Sequence, residues 1–117
     1  MSCLFQSLSS HFREPISASA IRAAICNFLK TNPVLFDNLR VADALPEGTS
    51  LDVYVNTMRL DETWGGAIEI KAFCELFGVP VHVLHTMNGR VIEFAPSSGR
   101  RSGVVHLNFN GGHYEPR

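Results

Sequence analysis

Apolar positions in the first half of the chain recur every three or four residues, and in the second half every two. Leu4, Phe5, Leu8 and Phe12 make one helical face, which Pro15 ends. Ser17 or Ser19 then caps a second helix striped by Ile21, Ile25, Phe28 and Leu29. Asn32-Pro33 stops it, and a short helical turn is expected over Val34, Leu35 and Phe36. The segment 41–50, rich in turn formers, reads as a loop. Ser50 caps a third stretch with Leu51, Tyr54, Val55 and Met58 at helical spacing. Ile68, Ala72, Phe73 and Leu76 mark another helix, and Gly78 and Pro80 stop it.

The period then changes. Val79, Val81 and Val83 alternate as a half-buried strand, and Asn88-Gly89 is a hairpin turn because both residues tolerate positive φ. Val91, Ile92 and Phe94 supply the partner strand. After the loop 96–103, Val105, Leu107 and Phe109 alternate as a third strand, and Asn110-Gly111-Gly112 turns the chain toward His113. Helices first and a small, mainly antiparallel β-sheet last is an α+β pattern.

Residues 1–117 fit one domain with one core. A hydrophobic share of 45% with 18% charged residues is globular usage rather than disorder. The net charge of −1 leaves no footprint for nucleic acid or an anionic membrane, and only Arg100-Arg101 is locally basic. No apolar run reaches the roughly 20 residues that span a bilayer, and no signal peptide opens the chain. Cys3, Cys26 and Cys74 are odd in number and widely spaced, which fits free thiols in a reducing, cytoplasmic setting.

Cys26 and Cys74 fall beside apolar stripes and read as core. Cys3, on position alone, reads more readily as a small hydrophobe at a helix edge than as a nucleophile. His113 changes that balance. It follows two glycines after an alternating strand, and Glu115 lies two residues on, sharing its face if the segment is extended. Glu115 would then fix the imidazole tautomer, the orienting part of a nucleophile–base–orienter set. A thiol at a helix start beside an imidazole is a candidate nucleophile. Metal binding is not expected. His82 and His85 point to opposite strand faces, His106 faces away from the core, and no ligand motif accompanies them. Phosphate-binding glycine loops are absent too, which disfavours nucleotide chemistry.

Three blocks, in order, carry a resemblance. Cys3-Leu4-Phe5 with the Ser7-Leu8-Ser9 that follows, Thr63-Trp64-Gly65-Gly66-Ala67-Ile68-Glu69-Ile70, and Phe109-Asn110 with Gly112-His113-Tyr114-Glu115-Pro116 resemble the ovarian tumour (OTU) family of cysteine proteases. The resemblance implies a papain-like α+β fold and cleavage of ubiquitin or ubiquitin-like conjugates. It implies no metal or organic cofactor, and a monomer is expected. By this resemblance Cys3 is the nucleophile, His113 the general base and Glu115 the orienter, in a position the family usually fills with Asn or Asp. Trp64 matches a tryptophan near the active centre, or else is a core aromatic. Because the modifier's tail ends in two glycines, Gly65, Gly66 and Gly112 would line a narrow groove. The family's loop ahead of the nucleophile, whose backbone N–H groups help form the oxyanion hole, is represented only by Met1 and Ser2. A domain cut just before Cys3 is one explanation. The alternatives are a weak or inactive ubiquitin-binding module and a viral polyprotein-processing protease.

Overall fold

In a computed structural model, the structure describes residues 3–10, 12, 16–31, 34–36, 39–97 and 103–116. Its helices are α1 (Cys3–Ser9), α2 (Ala18–Thr31), α3 (Val41–Ala44), α4 (Leu51–Met58) and α5 (Ala67–Phe77). Its strands are β1 (Val34–Phe36), β2 (Leu39–Arg40), β3 (Val81–His85), β4 (Arg90–Phe94), β5 (Val105–Phe109) and β6 (Tyr114–Pro116). Local chemistry sets many of the boundaries. Ser17 Oγ accepts from Ala20 N and Ser50 Oγ from Val53 N, so each hydroxyl satisfies an N–H that its helix leaves open. Gly78 ends α5 in the left-handed region, at φ 69°, where a side chain would be strained.

Two local expectations are corrected. The segment 34–36 is a strand paired antiparallel with β2, not a helical turn. Three residues are too few to nucleate a helix, whereas a neighbouring strand supplies hydrogen bonds at once. Residues 41–44, expected as loop, form a helical turn. Val41 and Leu45, four apart, are both buried and draw that turn onto the core in spite of the polar residues around them.

The main sheet has strand order β4-β3-β5-β6. β3/β4 and β5/β6 are antiparallel, but β3/β5 is parallel. The alternation along each strand does not reveal this pairing. Burial accounts for the strand order: Val81, Val83, Val105 and Leu107 are all buried and take the two central strands. Val91 and Ile92, both about half exposed, lie on the edge strand β4. Opposite the core face, His82, Leu84, His106 and Asn108 are partly or fully exposed, so His106 does face away from the core.

Helices α1, α2, α4 and α5 close the core with Leu4, Phe5, Leu8, Ile25, Leu29, Val55, Ile70 and Phe73. Two charged side chains are buried among them. Arg22 donates to Met58 O (2.7 Å) and Asp61 O (3.1 Å), closing the end of α4, and its guanidinium lies 4.2 Å from the centre of the Phe5 ring. Glu69 accepts from Gly66 N (2.7 Å) at the start of α5, and from the Tyr54 hydroxyl. Burial pushes the Glu69 carboxyl above its ordinary value, against the opposing pull of those hydrogen bonds and of Arg22.

A raised carboxyl binds its proton more tightly in the folded than in the unfolded chain. The stability it contributes is therefore full below the ordinary value of 4.5 and is lost as pH rises through the folded value. Glu69→Gln is expected to flatten the fall in unfolding free energy from pH 4.5 toward neutrality, read by urea titration. A variant with the wild-type slope would show that Glu69 is not the group responsible.

Candidate active site

Helix α1 begins at Cys3, whose thiol is free and partly exposed. The Ser7 hydroxyl donates to Cys3 O at 2.7 Å, so it is engaged with the helix backbone. Gln6 and Ser7 follow Cys3 at three and four residues and share its helical face.

The opposite wall comes from β6, which packs against α1. Its approach is set by a turn after β5. Asn110 Oδ1 accepts from Gly112 N (3.1 Å) and His113 N (2.9 Å), while Asn110 N donates to His113 O (3.2 Å). Gly111 sits at φ 97°, where the reversal requires glycine. The backbone of His113 is thus fixed by one asparagine side chain. Immediately beyond it, the Tyr114 and Phe109 rings pack with centroids 4.5 Å apart. Burial pushes the Tyr114 phenol up.

Between these walls lies a cavity of about 270 Å³ lined by Cys3, Gln6, Ser7, His113, Tyr114, Glu115 and Pro116. Cys3, His113 and Glu115, singled out in the sequence, all line it. Gln6 joins them without having been singled out, whereas Ser7, Tyr114 and Pro116 stood in the quoted blocks with no role assigned. The helical three-residue offset from Cys3 was the available signal for Gln6. Asn110 was read only as a turn former, although an Asx residue ahead of two glycines is a signature of side chain-to-backbone turns.

Trp64, Gly65, Gly66 and Gly112 are not among the residues lining this cavity. Trp64 is 57% exposed, which excludes the core-aromatic reading. Gly66 precedes α5 and donates to Glu69. Gly112 lies in the turn just ahead of His113. Gly65 lies directly against α1: a Cβ there would stand 2.6 Å from Leu4 Cδ2 and 3.1 Å from the Phe5 ring. Its missing side chain is what lets the 61–66 segment press on the helix that starts at Cys3.

Cys26 and Cys74 are buried in α2 and α5, as their apolar neighbours indicated. Burial pushes both thiols up, Cys74 to about 11. His11 lies outside the described residues. Among the described residues no group of three His, Cys, Asp or Glu side chains is placed to hold a metal ion, and no helix is long and apolar enough to cross a membrane.

Helices packed on a mixed sheet, with a partly exposed cysteine and a histidine lining one cavity, make the papain-like arrangement. The chain belongs to the family of OTU-like cysteine proteases, matching it over residues 2–113. It is 31% identical over 119 aligned residues to the ubiquitin thioesterase OTU1 of Mus musculus and 29% identical to that of Danio rerio. Those alignments take in 98% of this chain but 33% and 37% of the relatives, so the chain spans about a third of their length. An OTU domain solved in complex with ubiquitin superposes with a TM-score of 0.78 at 24% identity, over 98% of this chain and 62% of that one. An OTU deubiquitinase from Wolbachia pipientis wMel gives 0.76 at 23%, over 98% and 80%. The fold is therefore that of an OTU domain.

Gly65→Ala is expected to lower stability by about 1–3 kcal/mol, the scale of overpacking a filled core. Leu4→Ala in the same chain should recover part of that loss, because the added methyl meets Leu4 first. Strictly additive losses in denaturant melts would contradict this packing.

Proposed function

We propose that this domain is a cysteine-type deubiquitinase. Cys3 is its nucleophile, His113 its general base and Glu115 the residue that orients the imidazole. The observation that carries the reading is the shared cavity of Cys3, His113 and Glu115. Membership of the cysteine protease family and the names of the relatives, ubiquitin thioesterases, support both the chemistry and the modifier. The related domain solved with ubiquitin supports the same partner.

His113 takes the Cys3 proton, and the thiolate attacks the carbonyl carbon after the modifier's terminal Gly-Gly. The C–N bond then breaks as His113 returns the proton to the departing lysine amine, leaving a thioester on Cys3. Water, deprotonated by His113, attacks the thioester; free modifier and the thiol are restored. Tyr114 and Pro116 supply the apolar part of the cavity wall beside this chemistry. Three free thiols, two of them buried, support a reducing intracellular setting. Trp64, Gly65, Gly66 and Gly112 remain candidates for the groove that takes the modifier's tail, with Gly65 acting through its contact with α1.

Ubiquitin bearing a thiol-reactive group at its carboxyl end is expected to label Cys3 and spare Cys26 and Cys74, which burial keeps protonated and covered. Peptide mapping by mass spectrometry reads the site, and Cys3→Ala should abolish both labelling and cleavage. Labelling of Cys26 or Cys74 instead would overturn the assignment. Binding of unmodified ubiquitin without labelling or turnover would favour a recognition module.

His113→Ala is expected to lower kcat by about a hundredfold or more, as loss of a general base does. Glu115→Gln should cost less, because it weakens the orientation of the base without removing it. Equal turnover in Glu115→Gln and wild type would assign the orienting role elsewhere.

A further inference from the structure

Strand register places an unexplained polar side chain beside Glu115. Asn108 on β5 is the direct cross-strand partner of Glu115 on β6. In the next pair along, Phe109 and Tyr114 stack, so opposed residues of these strands do share a face. Opposed Cβ atoms in such a ladder lie about 4.5–5.5 Å apart, within reach of an amide and a carboxylate. His113, two residues before Glu115 and just ahead of β6, lines the same cavity as Glu115.

Asn108 Oδ1 is buried and makes no hydrogen bond. Buried polar atoms are almost always paired, and an unpaired one is costly. The amide carries two donors as well as the acceptor, and a half-turn of the group exchanges them. Glu115 is exposed and, among the described residues, makes neither hydrogen bond nor ion pair. A glutamate has three side-chain torsions to fix before its carboxylate can hold an imidazole still, and that ordering costs entropy. One neighbour has an unspent amide; the other has an unanchored carboxylate.

We propose that Asn108 is a positioning residue: its amide donates to the Glu115 carboxylate and holds it where it accepts from the His113 ring N–H that faces away from Cys3. The inference rests on the roles given above to Cys3, His113 and Glu115. Asn108 touches no substrate. It acts through Glu115, and so through the tautomer of His113.

The test uses ubiquitin carrying a fluorogenic amide at its carboxyl end, with the variants Asn108→Ala, Asn108→Asp, Glu115→Gln and Asn108→Ala with Glu115→Gln. Asn108→Ala is expected to lower kcat about tenfold with KM unchanged, the scale of one lost hydrogen bond to a charged group. Asn108→Asp keeps the size of the side chain but sets a second carboxylate beside Glu115, so it should lose more. In the Glu115→Gln background, Asn108→Ala should cost almost nothing further, because the group it holds is gone. Nitrogen-15 spectra of the His113 imidazole should show one dominant tautomer in the wild type. Asn108→Ala and Glu115→Gln should both move the population toward the other tautomer. Additive losses in the double variant, wild-type turnover in Asn108→Asp, or an unmoved tautomer would each overturn the proposal. If the wild type neither turns over nor labels at Cys3, the deubiquitinase reading fails by itself. The imidazole spectra of the same variants then decide alone whether Asn108 and Glu115 govern His113.

Discussion

The candidate site depends on a helix that cannot hold itself. α1 has seven residues, too few to persist in water on backbone hydrogen bonds alone. It persists because Leu4, Phe5 and Leu8 are buried to 1% exposure or less, each side chain contributing about 1.5–3 kcal/mol. The depth to which Leu4 and Phe5 sink fixes where Cys3 emerges. Gly65 sets part of that depth, and the Arg22 guanidinium sets more by covering the Phe5 ring.

The 59–66 segment, which carries Gly65, is tied at both ends by buried charge. Arg22 takes carbonyls at and just beyond the end of α4, and Glu69 takes the amide of Gly66 at the start of α5. An ion inside a core is tolerated only where hydrogen bonds replace its water, and both side chains meet that condition with groups that helix ends leave open. The same two residues that would be liabilities in an apolar interior thus brace the segment against α1. Trp64, at the middle of this braced segment, is left projecting into solvent.

Much of this was legible in the sequence. Period and caps located α1, α2, α4, α5 and the strands β3 to β5, while β6 is too short for alternation to mark it as a strand. What was not legible is what depends on partners distant in the chain. The adjacency of β3 and β5 follows from which strands are most deeply buried, and alternation gives the face without the neighbour or its direction. The 34–36 strand needed β2, and the 41–44 turn needed a core to bury Val41. Within the site, Cys3, His113 and Glu115 were visible as chemistry. Gly65 was visible only as a glycine, because its purpose lies in the absence of an atom near Leu4.

The packing of α1 on β6 brings the first described element against the last, and this has a kinetic consequence. Closing a loop of about a hundred residues is entropically costly, and pairings of such sequence separation are slow to form. The cavity that Cys3 and His113 share exists only once both elements have docked. A partly folded chain, fresh from synthesis or opened by stress, carries Cys3 without His113 beside it. Detaching either α1 or β6 is enough to take the cavity apart.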